Sequence, residues 1–80
     1  MPTPTIPQLL DFAAAHPVVR GEVENQIRRT LGITPARYFQ LLGRAAASLE
    51  GQAHDPITAH RELRRLQESA AGRQMQVAAI

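Results

Sequence analysis

The sequence predicts an all-α fold, a small four-helix domain in which helices two and three form a helix-turn-helix. Three observations lead to this prediction. Apolar residues recur at the three- and four-residue spacing of amphipathic helices in four segments of the chain. Alanine supplies much of the 44% hydrophobic fraction whereas aromatic residues make up only 4%, and small side chains suit closely packed helices better than sheets. Proline and glycine separate the four segments at positions typical of helix ends.

The first helix is expected to follow an irregular lead-in over residues 1–5. Its apolar residues lie at helical spacing: Ile6, Leu9, Leu10 and Ala13, with Phe12 beside them. Because a proline disfavours the helical conformation of the residue before it, Pro17 should end this helix at or before His16.

The second helix is indicated by a stripe that contains Val19, Val23, Ile27 and Leu31. Acidic residues near its start and arginines near its end have the orientation that the helix dipole favours. Glu24 and Arg28 lie four residues apart and are predicted to form an ion pair. Gly32 follows where a helix C-cap requires a left-handed residue.

The third helix is predicted over residues 35–50. Thr34 is a good N-cap, and proline is favoured at the first helical position, where Pro35 stands, because its missing N–H would have had no partner there. Its predicted inward face consists of Tyr38, Leu41, Leu42, Ala45 and Leu49.

The fourth helix should begin after a loop over residues 51–54, because Asp55 and Pro56 repeat the combination of a cap and a proline. Gly72 is expected to end it. Its apolar stripe consists of Ala59, Leu63, Leu66 and Ala70. The chain is therefore expected to be one domain over residues 1–80, with a core from about 6 to 72. The tail, residues 73–80, is expected either to fray or to dock on this chain or a second copy through Met75, Val77 and Ile80.

The connection between helices two and three matches the requirements of a helix-turn-helix, which needs a turn of three to four residues between its helices. Gly32 supplies the turn and Ile33 is placed to fill the angle between the helices. The apolar residues that would close the small core are Ile27, Leu31, Tyr38 and Leu41. Such motifs usually carry a small residue four positions before the turn glycine. Arg28 stands there instead, so we expect it to run outward along the surface.

Eight residues are the candidate DNA contacts of this motif: Thr34, Pro35, Ala36, Arg37, Gln40, Arg44, Arg28 and Arg29. The leading end of the second helix of such a motif enters the major groove. Arg37 is suited to guanine O6 and N7 or to a phosphate, and Gln40 to adenine N6 and N7. Thr34 and the N–H groups of the first helical turn are expected to hold a phosphate, and the remaining arginines to contact the flanking backbone.

Other polar residues have simpler interpretations. Arg61, Arg64 and Arg65 are expected on a solvated face of the fourth helix, with ion pairs to nearby glutamates. Phe39 is expected at the edge of the core.

The histidines are not at metal-binding spacing and the chain has no cysteine, so neither a metal nor another cofactor is expected. No pattern resembles a catalytic constellation, so the protein is not expected to be an enzyme. With no apolar run long enough to span a bilayer and no leader, a cytoplasmic protein is expected.

Five blocks of the sequence resemble a known family. They are Leu10-Asp11-Phe12, Gln26-Ile27-Arg28, the run from Leu31 to Leu42, Asp55-Pro56, and Leu63-Arg64-Arg65-Leu66. Together they resemble DUF3263, a family of small actinobacterial proteins with similar proteins in actinobacteriophages. The resemblance covers residues 9–73. It implies a cytoplasmic helix-turn-helix-like fold of the kind found in sigma-factor and regulator modules, with no established activity.

Two functions from different classes are consistent with the sequence. The first is a transcriptional regulator that binds double-stranded DNA, as a homodimer on a two-fold site because one helix reads only a few base pairs. The alternative is an adaptor that binds a protein of the transcription machinery or a phage or host target, which the modest net charge of +2 and the apolar tail favour. Salt dependence of DNA binding would distinguish them. Binding to a membrane surface is disfavoured, because the core needs the apolar stripe of every helix.

Overall fold

A computed structural model describes the backbone of residues 3–79 and the side chains of residues 3–68. In that range the chain forms five α-helices and no strand: α1 Ile6–Ala15, α2 Glu22–Gln26, α3 Pro35–Ala47, α4 Leu49–His54 and α5 Pro56–Ala79. A π-helical turn, Ile27–Leu31, continues α2. The all-α prediction is confirmed. The predicted number of four helices is wrong, because α4 is a separate helix.

The core forms around α3, which packs against α1, α4, α5 and the π-helical turn. The buried apolar residues come from three of the helices and that turn: Leu9, Leu10, Phe12, Ala13, Ile27, Tyr38, Leu42, Ala45, Ala46 and Ala59. Four of the ten are alanines, which let the helices approach closely. Because α3 is central, one of its faces is buried and the opposite face is left for solvent.

Both ends of α1 are closed by hydrogen bonds, and its C-terminal end lies where the sequence predicts. Thr5 forms a capping box with Gln8: its hydroxyl accepts from the Gln8 N–H at 3.2 Å, and its N–H donates to Gln8 Oε1 at 2.8 Å. The helix ends at Ala15, before Pro17. The backbone N–H of His16 donates to the Phe12 carbonyl oxygen at 2.9 Å, and its Nδ1 lies 3.0 Å from the same oxygen.

The second helix begins later than its apolar stripe suggests. Gly21 has a φ of 61°, which breaks the helical path, so α2 starts at Glu22 and Val19 precedes it as a half-buried residue packed against the core. The predicted pair between Glu24 and Arg28 is wrong. Glu22 pairs with Arg29 instead, because residues seven apart return to the same face of a helix after two turns. Gly32 then ends the π-helical turn with φ 71° and ψ 23°, the predicted left-handed cap.

Ser48 divides the predicted third helix into two. Its backbone is extended, with φ −78° and ψ 153°, and its hydroxyl donates to the Ala45 carbonyl oxygen at 2.7 Å while accepting from the Gly51 N–H at 3.0 Å. One side chain therefore ends α3 and caps α4. As a result the predicted loop over 51–54 is helical. Leu49 points away from the core and is 86% exposed, so its predicted burial is wrong.

The last helix starts as predicted and continues beyond its predicted end. Asp55 Oδ1 accepts from the Thr58 N–H at 3.0 Å, and hydrogen bonds from the side chain and the backbone of Thr58 lower the pKa of the Asp55 carboxyl. The predicted stop at Gly72 is wrong, because the helix continues through that residue to Ala79. Leu66 is 47% exposed rather than buried. The predicted docking of the tail side chains concerns residues outside those whose side chains are described.

The first turns of α5 carry exposed arginines and ion pairs to a glutamate, as expected, but the glutamate itself is buried. The Glu62 side chain is 5% exposed and lies 3.3 Å from Arg61 Nη2 and 3.5 Å from Arg65 Nη1. Arg61 also donates to the Ala13 carbonyl oxygen, and Arg65 to that of Pro17, each at 2.8 Å. The last carbonyl groups of a helix lack intrahelical donors, so Arg61 caps α1 from another helix. Glu62 is the buried member of this cluster, and the two half-exposed arginines balance its charge.

Candidate nucleic-acid interface

The solvent-facing side of α3 presents the predicted base-reading residues together. We call this surface the α3 outer face and define it by Ala36, Arg37, Gln40 and Arg44, which are all exposed and recur at three- and four-residue spacing. It lies opposite the buried face that contains Tyr38 and Ala45. The arrangement follows from the amphipathic pattern alone, since burial of one stripe of a helix sends the other stripe to solvent.

The first turn of α3 is well ordered by its cap. Thr34 Oγ1 accepts from the Arg37 N–H at 3.2 Å, and the Thr34 carbonyl accepts from the Tyr38 N–H at 2.9 Å. Pro35 is half-buried and has no N–H to offer. These bonds leave the Ala36 N–H as the donor of this turn without a hydrogen bond among the described residues. This turn therefore offers a phosphate one free N–H group, whereas the prediction expected several.

Arg37 and Gln40 contact each other on the α3 outer face. Arg37 Nη1 donates to Gln40 Oε1 at 3.2 Å. Arg44 lies two turns of helix beyond Arg37 on the same side, and it forms no ion pair with any residue whose side chain is described. The outer face therefore combines a hydrogen-bonded polar pair with a second cationic group.

The charge of the chain is concentrated around this face. Residues 25–49 contain four arginines and no aspartate or glutamate, so this segment has a formal charge of +4 although the whole chain has +2. Two of those arginines, Arg28 and Arg29, lie in the π-helical turn and are exposed. Arg29 is paired with Glu22, and Arg28 forms no ion pair within the described part of the chain. Arg28 does point to solvent, as predicted from its position before the turn.

The aromatic residues of α3 pack against the core and so fix the position of the helix that carries the α3 outer face. Tyr38 is fully buried and packs edge-to-face against Phe12, with ring centroids 5.5 Å apart, and against Phe39 at 5.2 Å. Phe39 is 42% exposed, as predicted for the edge of the core. Because Tyr38 follows Arg37 directly, the position of the outer face depends on this buried ring.

The hydroxyl of Tyr38 is buried and has no hydrogen-bond partner among the described residues. Burial raises the pKa of Tyr38 to about 12, and the nearby Glu62 carboxylate adds to the rise, while Arg65 and Arg61 oppose it. The cluster on α5 therefore lies close to the ring that positions α3. The ion pairs of this cluster were expected from the sequence, but the burial of Glu62 was not. The alternation of arginines with Glu62 was its only signal, and an exposed helix face has the same pattern.

The raised pKa leads to a testable effect of alkaline pH on stability. As the pH rises past 10, the unfolded chain loses the Tyr38 proton first, so the free energy of unfolding should fall between pH 10 and about 12, by at most about 1.4 kcal/mol per pH unit. Below pH 10 this contribution is fully present. Urea unfolding at several pH values measures the effect. Tyr38 is the only tyrosine and the chain has no lysine or cysteine, so the Tyr38→Phe variant should show a flat profile over the same range. An equal fall in that variant would contradict the prediction.

The histidines have structural contacts. His16 stacks on Phe12 with ring centroids 4.2 Å apart, and His54 Nε2 lies 2.8 Å from Asp11 Oδ1. His60 lines an open cleft of about 200 Å³ between α4 and α5, together with Gln52, Pro56 and Leu63. Among the described residues, no three histidine or acidic side chains are grouped so that they would hold a metal ion. No helix in the described range is long and apolar enough to cross a membrane.

Comparison with known proteins places the chain in a family. No curated protein and no solved structure matches it. A family model with the description "Protein of unknown function (DUF3263)" matches residues 5–74, which is most of the chain and includes all of the α3 outer face. This match confirms the family that the sequence blocks predict, and the chain belongs to the DUF3263 family.

Proposed function

We propose that this protein binds double-stranded DNA by placing the α3 outer face in the major groove. The observation that carries the proposal is an exposed, acid-free helix face with Arg37, Gln40 and Arg44 at its centre, within a segment of charge +4. Phosphates attract such a surface regardless of sequence. The forked donors of arginine and the paired donor and acceptor of the glutamine amide can read base edges in the major groove.

In this proposal α2, its π-helical turn and α3 form a helix-turn-helix. Several features support that interpretation. The connection is short, with three residues between the π-helical turn and α3, and it begins with the left-handed Gly32. Ile33 is half-buried against the core, where a residue that fills the angle between two helices belongs. Ile27 and Leu31 also pack into or against the core from the first helix.

The arginines around α3 have different proposed roles. Arg37 contacts a base, while Arg28 and Arg44 contact phosphates on either side. Arg29 contributes only if it exchanges Glu22 for a phosphate, since the two are paired in the free protein. Thr34 and the Ala36 N–H are proposed to contact one further phosphate at the start of α3, with Pro35 setting the direction of the chain there.

The proposed biological role is transcriptional regulation in the cytoplasm. One helix of this kind covers only a few base pairs, so a homodimer on a two-fold site would supply the affinity that regulation needs. That the protein comes from actinobacteria or their phages stays a prediction.

The test of DNA binding is a selection from random duplex DNA with the purified full chain, at a low and a higher salt concentration. An enriched motif whose affinity falls steeply with salt is expected, because each phosphate contact releases counterions. Retention that does not depend on salt, or no retention at either concentration, would contradict the proposal.

Replacing Arg37 with alanine should weaken binding to the selected site by about 5- to 150-fold, which corresponds to the ~1–3 kcal/mol of a good base contact. The loss should be largest on the selected sequence and small on unrelated DNA. Titrations on both sequences measure it. Arg64→Ala is the matched control, since Arg64 is an exposed arginine on α5 that forms no ion pair with a described residue. An equal loss in the control would show that only net charge matters.

The alternative function, an adaptor that binds another protein, is favoured by one observation. Two large apolar side chains at the starts of α4 and α5, Leu49 and Ile57, are 86% and 81% exposed. Exposed apolar groups of this size are typical of protein contacts when they are contiguous. If the DNA selection yields nothing, a pull-down compared with a Leu49→Ser, Ile57→Ser double variant is the test, with loss of a partner in the variant as the expected result.

A further inference from the structure

We propose that the surface shared by α4 and α5 is the contact between two copies of this chain, with Leu49 of each copy seated in the cleft of the other. We call this surface the α4–α5 patch. It consists of the two most exposed large apolar residues and the four residues that line the cleft: Leu49, Ile57, Gln52, Pro56, His60 and Leu63. DNA binding on a two-fold site needs such a dimer, but the contact itself does not depend on DNA and can be tested without it.

The exposed apolar side chains and the cleft lie on the same side of the two helices. Leu49 is 86% exposed and stands three residues before Gln52 on α4, so the two share one face of that helix. Ile57 is 81% exposed and stands three residues before His60 on α5. Because Gln52 and His60 both line the cleft, each exposed apolar side chain lies beside one of its walls. The patch therefore combines projecting apolar groups with a hollow between them.

The volume of the cleft, about 200 Å³, decides what kind of group it can hold. Sites for drug-sized ligands and cofactors usually enclose about 300–1,000 Å³, so this open cleft is too small for such a molecule. One aliphatic side chain from another protein molecule fits the volume. Pro56 and Leu63 supply apolar walls for it.

A second copy of this chain is the occupant that the patch fits best. A contact with two-fold symmetry brings the same patch of both molecules together, so the patch must contain both the projecting group and the site that receives it. The α4–α5 patch meets this requirement, since Leu49 projects beside the cleft. One contact of this kind seats two leucines in two clefts at once.

The charges around the patch favour the same occupant. Residues 49–60 contain no arginine and two acidic residues, Glu50 and Asp55, and Asp55 is already engaged as the cap of α5. The four arginines of residues 25–49 all lie outside the patch, as does the whole α3 outer face. A contact through the patch therefore keeps the arginines of both copies out of the interface, where their like charges would repel. It also leaves both α3 outer faces uncovered.

The size of the patch indicates how strong the contact is. A stable complex buries about 800 Å² on each partner, from about 20–30 residues, whereas the patch has six residues. We therefore expect a weak dimer, with a dissociation constant on the order of 100 µM in the absence of DNA. Two copies bound to neighbouring half-sites would associate more completely, because each is held at a high effective concentration near the other.

Analytical ultracentrifugation of the purified full chain tests the contact at protein concentrations from about 10 µM to about 1 mM, without DNA. The average mass should rise with concentration from 8.8 kDa towards twice that value. Leu49→Ser should raise the dissociation constant about tenfold or more, since each dimer loses two buried leucines. Val18→Ser is the matched control, because Val18 is an apolar residue outside the patch that is 57% exposed, and it should leave the association unchanged. Circular dichroism checks that both variants are folded.

Disulfide formation tests which residues meet. The chain has no cysteine, so Leu49→Cys and His60→Cys each introduce a single thiol. A leucine seated in the cleft of the other copy brings position 49 of one chain next to position 60 of the second. An oxidised mixture of the two variants should therefore contain mainly disulfides between unlike chains, which mass spectrometry separates from pairs of like chains. A mixture of Leu49→Cys and Val18→Cys should show no such preference.

A chain that stays monomeric at the highest concentration would overturn the proposal, as would an association that Leu49→Ser and Val18→Ser weaken equally. Cross-linking without a preference for the unlike pair would overturn the seating of Leu49 in the cleft. A monomeric chain that retains a different protein, and loses it in the Leu49→Ser variant, would assign the patch to the alternative adaptor function. Salt-dependent retention on DNA by a monomer would leave the proposed function intact, whereas a dimer that DNA does not retain would overturn that function alone.

Discussion

Replacing Gly51 with alanine is expected to lower the free energy of unfolding by about 3 kcal/mol, at the upper end of the cost of overpacking. A Cβ atom at this position would lie 1.9 Å from the Ala45 carbonyl oxygen and 3.1 Å from Leu10 Cδ1. A backbone oxygen cannot rotate away as a side chain does, so α4 would have to separate from the end of α3. The gain in helix propensity, about 1 kcal/mol, is too small to compensate. Urea unfolding followed by circular dichroism measures the difference.

Gly43→Ala is the matched control, because it makes the same chemical change in a neighbouring helix. There a Cβ atom would lie 3.1 Å from Leu66 Cδ1, the end of a flexible side chain that is 47% exposed. Leu66 can move towards solvent, so the stability of this variant should stay within about 1 kcal/mol of the wild-type value, with a gain from helix propensity. Similar losses in both variants would contradict the interpretation that the backbone contact at Gly51 is decisive.

Replacing Arg61 with methionine is the second change for which we expect a loss of about 3 kcal/mol, the lower end of the cost of breaking a buried ion pair. Methionine keeps the apolar stem but removes the guanidinium group. Glu62, only 5% exposed, would then keep Arg65 at 3.5 Å as its remaining cation, and the Ala13 carbonyl oxygen would lose its donor. The lower end applies because the Arg61 side chain is itself 37% exposed. Thermal or urea unfolding measures the loss.

Two further variants separate the ion pair from general effects of the substitution. Arg64→Met removes an exposed arginine of the same helix and should change stability by no more than about 0.5 kcal/mol. The double variant Arg61→Met, Glu62→Gln should be more stable than the sum of the two single losses suggests, because it removes the buried carboxylate together with one of its two cations. Additive losses would show that the two residues do not act as a pair.

Local sequence signals predicted the helix ends where one residue type has a specific chemical task. The cap at Thr34, the proline after it and the left-handed Gly32 all appear as expected, because each depends only on the backbone of its immediate neighbours. The same holds for Asp55 at the start of α5. The exposed residues of the α3 outer face were likewise predictable, since helical spacing alone assigns them to one side.

The errors concern residues whose environment depends on contacts far along the chain. Ser48 is an ordinary helical residue in the apolar pattern, and only the close approach of Gly51 to Ala45 shows why the chain bends there. Gly72 is a plausible stop, but α5 continues through it to Ala79, and the residues around the glycine do not reveal this.

The sequence by itself determined the all-α class, the caps at Gly32, Thr34 and Asp55, the buried face of α1, most of that of α3, and the charged, acid-free segment that contains α3. These properties are encoded within a few residues, or in composition, and need no knowledge of which helices meet. Only the tertiary structure decided that Glu62 is buried between arginines that reach the end of α1, that Tyr38 is enclosed beside them, and that α4 turns away after Ser48. Each of these depends on atoms brought together from distant parts of the chain, where burial changes the energy of a charge or a hydroxyl in a way that no local pattern records.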